Sequence, residues 1–339
     1  VCGRGGRWIR MNPEFRPSEK PENVSSPDVV TFGETMALFC PADGKTLEHA
    51  GAFSFSFGGA ESNVAIGLAR LDVRAGWFGR LGDDPPGRMI FKRIRGEGVD
   101  VSRVQLDPDA PTGLMLRETV YGRLSVYYYR KFSAASRMRP DDVDEAYVAG
   151  AKVLHVTGIT PALSESCLET VRHAVRVARR HGVAVCFDPN LRLKLWPLER
   201  ARPVLLELAE EADYFLPGWD ELKLLYGIEK PDEAVAELRR LRAVSVVKSA
   251  GGKTLLVERE RVTEVPFFPV ERVVDPVGAG DAFCAGFLAG VVKGFSLEEA
   301  VRLGNLTGSL AVQAAGDWEG APTWQDVQTR LGAVGHVER

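Results

Sequence analysis

Cysteine is scarce and unpatterned in this 339-residue chain: Cys2, Cys40, Cys167, Cys186 and Cys284 are scattered, odd in number, and form no CxxC pair. That excludes a disulfide framework or a zinc cage and points to a reducing compartment, so a cytoplasmic location is expected. Long apolar runs are also missing. The longest, Ala282 to Val292, has eleven residues, too few for the roughly 20 that a membrane-spanning helix needs, and reads as a core helix. Neither sign of charge dominates: 43 Lys plus Arg stand against 46 Asp plus Glu, a net charge of -3. No polybasic surface for nucleic acid or membrane is implied. The five histidines are dispersed, without a second His or a Cys at ligand spacing, and are expected to be structural or solvated.

What is present is ordinary globular composition, 45% hydrophobic and 26% charged, in a length that suits one large domain. Residues 1–28 carry five basic residues and four prolines but no signal-peptide core, and a Met stands at position 11. They are expected to be a disordered tail, or residues foreign to the natural start. Residues 29–330 are expected to form the functional domain, and 331–339 a C-terminal tail.

From Val29 onward short β-branched runs alternate with amphipathic helices, as in Lys152 to Thr157 followed by Ser164 to His181. The runs Val183 to Phe187, Asp213 to Leu216 and Val244 to Lys248 repeat that rhythm. It is the pattern of an α/β fold with a mostly parallel sheet covered by helices on both faces. Two segments, residues 37–57 and 112–131, are aromatic and β-branched without a crossover helix close behind. They read as antiparallel strands of a small accessory sheet.

Ligands of open α/β sheets bind beyond the carboxyl ends of the strands, where loops converge and helix N-termini offer free N–H groups. Polar residues collect there: Gly33-Glu34, Asp188-Pro189-Asn190-Leu191-Arg192, Pro217-Gly218, Ser249 to Gly252, and Asp275-Pro276-Val277-Gly278-Ala279-Gly280-Asp281. The last precedes a helix whose Phe283, Phe287 and Val291 share one face, so Gly278 to Asp281 are expected in its first turn. Small residues there let N–H groups approach an oxyanion, and Asp281 could take a proton from a hydroxyl. A helix-start aspartate favoured by the dipole explains the same spacing, and both readings stand. Two other glycine patterns fail. The first Gly of a Walker loop ending Gly252-Lys253-Thr254 would fall on Val247, and a GxGxxG starting at Gly278 would end on Phe283.

The segment Asp275 to Phe283 resembles the C-terminal signature of the ribokinase-like (PfkB) carbohydrate kinases, and Gly58-Gly59-Ala60-Glu61-Ser62-Asn63-Val64-Ala65 their N-terminal one. The likeness runs from about Val29 to Thr323. Thr112-Gly113-Leu114, Tyr127-Tyr128-Tyr129-Arg130 with Ser133-Ala134-Ala135-Ser136, and Asp188 to Arg192 are similar to the members that act on 2-keto-3-deoxygluconate.

The resemblance implies a ribokinase-like fold with an accessory lid and ATP-dependent phosphorylation of that sugar acid. Fructokinase, another PfkB sugar kinase, and a sugar-binding regulator with a kinase-like fold are the alternatives. By resemblance, Gly58, Gly59, Asn63, Tyr128, Arg130, Arg192 and Asp317 would touch substrate. Asp281 would be the base, and Gly278, Ala279 and Gly280 the anion hole. Asn190, Arg192, Ser249, Gly251, Gly252, Lys253 and Asn305 would border ATP. Arg130 and Arg192 are suited to pair with a sugar-acid carboxylate through planar bidentate donors. The resemblance also implies Mg2+, leaves a monovalent cation open, and suggests a homo-oligomer paired through the lid. Gly218 replaces the Asn of the family's Asn-x-x-Glu motif, leaving Glu221 as the metal residue, and Leu114-Met115 stand where an aromatic is frequent.

Overall fold

A computed structural model describes residues 26–121, 123–249 and 252–332. The expected tail at 1–28 lies outside the described residues except for its last three, and that at 331–339 except for its first two.

In chain order the strands are β1 (Val29–Phe32), β2 (Met36–Pro41), β3 (Phe53–Gly58), β4 (Ala75–Phe78), β5 (Arg80–Gly82), β6 (Gln105–Asp107) and β7 (Leu114–Val120). They continue as β8 (Arg123–Tyr129), β9 (Val153–Thr157), β10 (Ala184–Asp188), β11 (Tyr214–Phe215), β12 (Val244–Val247), β13 (Lys253–Val257) and β14 (Val262–Pro266). Eight of them form the main sheet in the order β14-β13-β12-β11-β10-β9-β1-β4, parallel from β4 to β12 and antiparallel beyond. The buried strands Val29–Phe32 and Val153–Thr157 are almost wholly apolar or β-branched, as a sheet covered on both faces requires. Two cores result, one on each face.

The helix Ala279–Val292 is buried along most of its length, between the helices Ala60–Arg70 and Leu297–Ala311. Its Gly286 permits that closeness, since a Cβ there would stand 2.2 Å from Thr307 Oγ1. Among the described residues no helix is long and apolar enough to cross a membrane.

Four strands form a second sheet in the order β3-β2-β7-β8. β2–β3 and β7–β8 are antiparallel as expected, but the central pair β2–β7 is parallel. Both central strands leave the same end of the main body, β2 directly after β1 and β7 shortly after the parallel pair β5–β6, so they must run the same way. The sheet thus rises from the carboxyl ends of the parallel strands.

Candidate active site

Between the second sheet and those carboxyl ends lies a cleft of about 1680 Å³. This exceeds the roughly 300–1,000 Å³ usual for one small ligand and leaves room for two.

At its floor Gly278 caps the helix Ala279–Val292 with φ 77°, a left-handed conformation costly for a residue with a Cβ. A Cβ at Gly278 would also lie 1.8 Å from the Asp317 carbonyl oxygen, so this position is closed to other residues twice over. Asp275 shapes the turn by accepting from the Val277 N–H at 3.0 Å and the Gly316 N–H at 3.2 Å. The first N–H groups of the helix have no carbonyl of their own to meet, and Gly278 and Gly280 line the cleft. Ala279 does not, and its N–H leans toward the Pro276 carbonyl at 3.4 Å. Of the three residues expected to form an anion hole, Gly278 and Gly280 thus line the cleft and Ala279 does not.

Asp281 lies one residue further, partly open to the cleft. Asn63 Nδ2 donates to its Oδ2 at 2.8 Å, which joins the two sequence signatures across 218 positions. Burial pushes the carboxyl from 3.8 up to about 7, against the opposing effect of the Asn63 bond. A carboxylate that gains its proton near neutrality is matched to accepting one from a hydroxyl.

Beside it is a pair that the sequence reading missed. Lys248, just after β12, donates from Nζ to Asp188 Oδ2 at 2.7 Å, with both side chains largely buried. Asp188 also accepts from the Asn190 N–H at 3.1 Å and from Cys284 Sγ at 3.2 Å. Despite burial the charges on Lys248 favour its protonated form and those around Asp188 its ionised form. Below them His155 is held neutral by burial, its value lowered to about 4, with Nδ1 3.1 Å from Thr31 Oγ1. The signal for the pair was present in two strand ends, but nothing in the sequence says that positions 188 and 248 meet.

At the substrate end Arg130, Asp317 and Arg192 all line the cleft. Arg130 does not offer a free guanidinium: it forms a buried ion pair with Glu34, with Nε 2.6 Å from Oε2, and Ser133 donates to the other Glu34 oxygen at 2.5 Å. The guanidinium stacks over Tyr128 at 5.6 Å. Asp317 is likewise held, by Arg117 at 2.8 Å, and Arg117 also reaches Asp275 at 3.2 Å. Burial still pushes Asp317 up to about 6. Arg192 lines the cleft and has no carboxylate partner among the described residues, only the Leu191 carbonyl at 3.4 Å.

Gly58, Gly59, Asn63, Tyr128, Asn190, Ser249 and Glu221 also line the cleft. Asn305, Lys253 and Glu221 each have partners within the fold. Asn305 is buried, accepting from Thr254 at 2.6 Å and donating to the Val265 and Pro266 carbonyls, so its amide is engaged inside the fold. Lys253 pairs with Glu264 across β13–β14, and neither it nor Gly252 lines the cleft; Gly251 lies outside the described residues. Glu221, expected as a metal ligand, accepts from the Leu191 and Gly218 N–H groups at 2.7 Å each, capping the helix Trp219–Tyr226. Among the described residues no group of three or more His, Cys, Asp or Glu is placed to hold a metal ion.

The sequence profile of the pfkB family carbohydrate kinases matches residues 26–324. The 2-dehydro-3-deoxygluconokinase of Bacillus subtilis (strain 168) is 42% identical over 312 residues, covering 90% of this chain and 96% of that one. The enzyme of the same name from Thermoproteus tenax is 34% identical over 311 residues, 90% of this chain and 94% of its own. Among solved structures, a ribokinase II from E. coli in complex with ATP and Mg2+ superposes with a TM-score of 0.83 at 25% identity, covering 91% of this chain and 99% of that one.

Proposed function

This chain belongs to the pfkB family of carbohydrate kinases, and from that premise we propose that it transfers the γ-phosphoryl group of ATP to the primary hydroxyl of 2-keto-3-deoxy-D-gluconate. The observation that carries the chemistry is Asp281: a carboxylate held by Asn63 at the mouth of a glycine-walled helix start, with its proton affinity raised to about 7. The sugar hydroxyl oxygen attacks the γ-phosphorus, the bond to the β,γ-bridging oxygen breaks, and Asp281 receives the hydroxyl proton as ADP departs.

The N–H groups around Gly278 and Gly280 stabilise the charge on the transferring phosphoryl from a helix N-terminus. Gly58, Gly59 and Tyr128 bound the sugar. Arg192, a cleft guanidinium without a carboxylate partner among the described residues, meets the sugar carboxylate. Arg130, neutralised by Glu34, fixes the Tyr128 face instead. The sheet β3-β2-β7-β8 covers the site and excludes water that would otherwise accept the phosphoryl group.

Mg2+ supplies charge neutralisation of the β- and γ-phosphate oxygens when bound. Besides Asp281, Glu221 and Asp188 are carboxylates of the cleft, both already engaged. That fits a cation carried mainly by phosphates and water, as Mg2+ commonly is. The exposed Phe53, Phe55, Tyr127 and Tyr129 of the second sheet support pairing of that sheet between two copies.

The choice of sugar follows the two relatives named above, one of them 42% identical over nearly its whole length. Incubation with ATP and 2-keto-3-deoxygluconate, followed by phosphorus NMR, tests the reaction. A monoester on the terminal CH2 is expected; a phosphate on any other oxygen, or only inorganic phosphate, would reject it.

A further inference from the structure

The buried ion pair at the end of β12 has a geometry that pairing alone does not require. Lys248 is pinned on both sides of its backbone, its N–H donating to the Pro217 carbonyl at 2.8 Å and its carbonyl accepting from Trp219 at 3.0 Å. Its side chain runs to the cleft floor, lining the same cavity as Gly280 and Asp281. The atom nearest to a Cβ built on Gly280 is Lys248 Nζ, 4.0 Å away. An ammonium has three donors, and among the described residues Nζ gives one, to Asp188. Two remain on a cation that is only 16% exposed. Two cleft carboxylates beside Asp281 are meanwhile engaged, Asp188 with Lys248 and Glu221 with two N–H groups.

We propose that Lys248 is a catalytic residue of this site, its ammonium held by Asp188 under the Gly278–Gly280 turn so that its two remaining N–H donors contact the terminal phosphates of the nucleotide. This rests on the kinase reading but not on the identity of the sugar. Charge on the transferring phosphoryl spreads over its outer oxygens, and a fixed cation among N–H donors stabilises it without reorganisation. Asp188 acts here as a positioning residue. It keeps the lysine charged and aims it, and its own aim is fixed by the Asn190 N–H and by Cys284.

The test separates a phosphate contact from a structural pair. Lys248→Met alone strands Asp188 as an unpaired buried charge, so Lys248→Met/Asp188→Asn is the working variant, with Lys248→Arg as the charge-retaining control. Binding of the non-hydrolysable ATP analogue AMP-PNP and of AMP is measured calorimetrically in EDTA, without sugar or divalent metal, alongside melting temperature. The double variant should melt near the wild type and bind AMP within threefold of it, while AMP-PNP weakens at least tenfold. Its turnover with Mg2+ should fall by about 10²-fold, the usual cost of one such donor. Lys248→Arg should keep most of the preference for AMP-PNP over AMP. If the double variant keeps the wild-type ratio of AMP-PNP to AMP affinity, the lysine serves only its aspartate and the proposal is wrong. A wild type that binds AMP-PNP tightly yet fails to phosphorylate the sugar acid would overturn the choice of sugar and leave Lys248 standing.

Discussion

Replacing Asp281 by Asn tests the base in two independent ways. The amide can still accept from Asn63 Nδ2, now 2.8 Å from Asp281, so the local fold is retained while the proton acceptor is lost. Turnover should fall by about two to four powers of ten.

The same change should stabilise the protein, with a definite pH dependence. The folded value of about 7 lies above the ordinary 3.8, so between those limits the folded state holds more proton than the unfolded chain. Stability contributed by the protonated group is therefore complete below about pH 4 and is lost as pH rises through 7. The displacement sets an upper bound of about 4 kcal/mol on the cost of ionising Asp281 in place. Water in the cleft offsets part of this, because the side chain is partly open, leaving an expected gain for Asn of about 1–2 kcal/mol at pH 8, or roughly 2–6 °C. Melting curves of both proteins at pH 5, 6, 7 and 8 measure it. A difference in melting temperature that stays flat over that range would refute the assigned proton affinity, and turnover within tenfold of wild type would reduce Asp281 to a helix-start residue.

Arg130→Leu should be costly to the fold, since it leaves the buried Glu34 without its cation; about 3–5 kcal/mol is expected by urea unfolding, and a loss below 1 kcal/mol would contradict the ion-pair assignment. Gly278→Ala should lower both melting temperature and turnover, because the new Cβ meets the Asp317 carbonyl and the residue must keep φ 77°; a backbone cost of about 1–3 kcal/mol is expected, and native stability with full activity would show that the turn can move. The wild-type specificity constant should rise with pH as Asp281 ionises and level off above about 7; a profile flat from pH 5 to 8 would place the base elsewhere.

Much of this site was legible because its chemistry is local. A glycine-rich turn entering an apolar helix is readable from neighbours in the chain, and so are the strand–helix rhythm and the aromatic strands without crossover helices. What the sequence does not show is mostly pairing over distance. Arg130 looked available because Glu34 is 96 positions away, and Asn305 looked like a nucleotide neighbour because nothing local reveals its bonds to β13 and β14. Lys248 and Asp188, each at the end of a strand, meet only because β11 separates β10 from β12 in a parallel sheet that brings the carboxyl ends together. Lys253 points elsewhere for a comparable reason: β13 turns antiparallel, and the lysine is taken up by Glu264 on β14.

The central claim is best tested by the specificity constants for 2-keto-3-deoxygluconate and fructose, measured with ATP and Mg2+ by coupled detection of ADP. A carboxylate met by Arg192 through a charged hydrogen bond is worth about 1.5–3 kcal/mol, so the acid should be favoured by roughly one to two powers of ten. Equal constants, or a preference for fructose, would contradict the assignment of a sugar acid to this cleft.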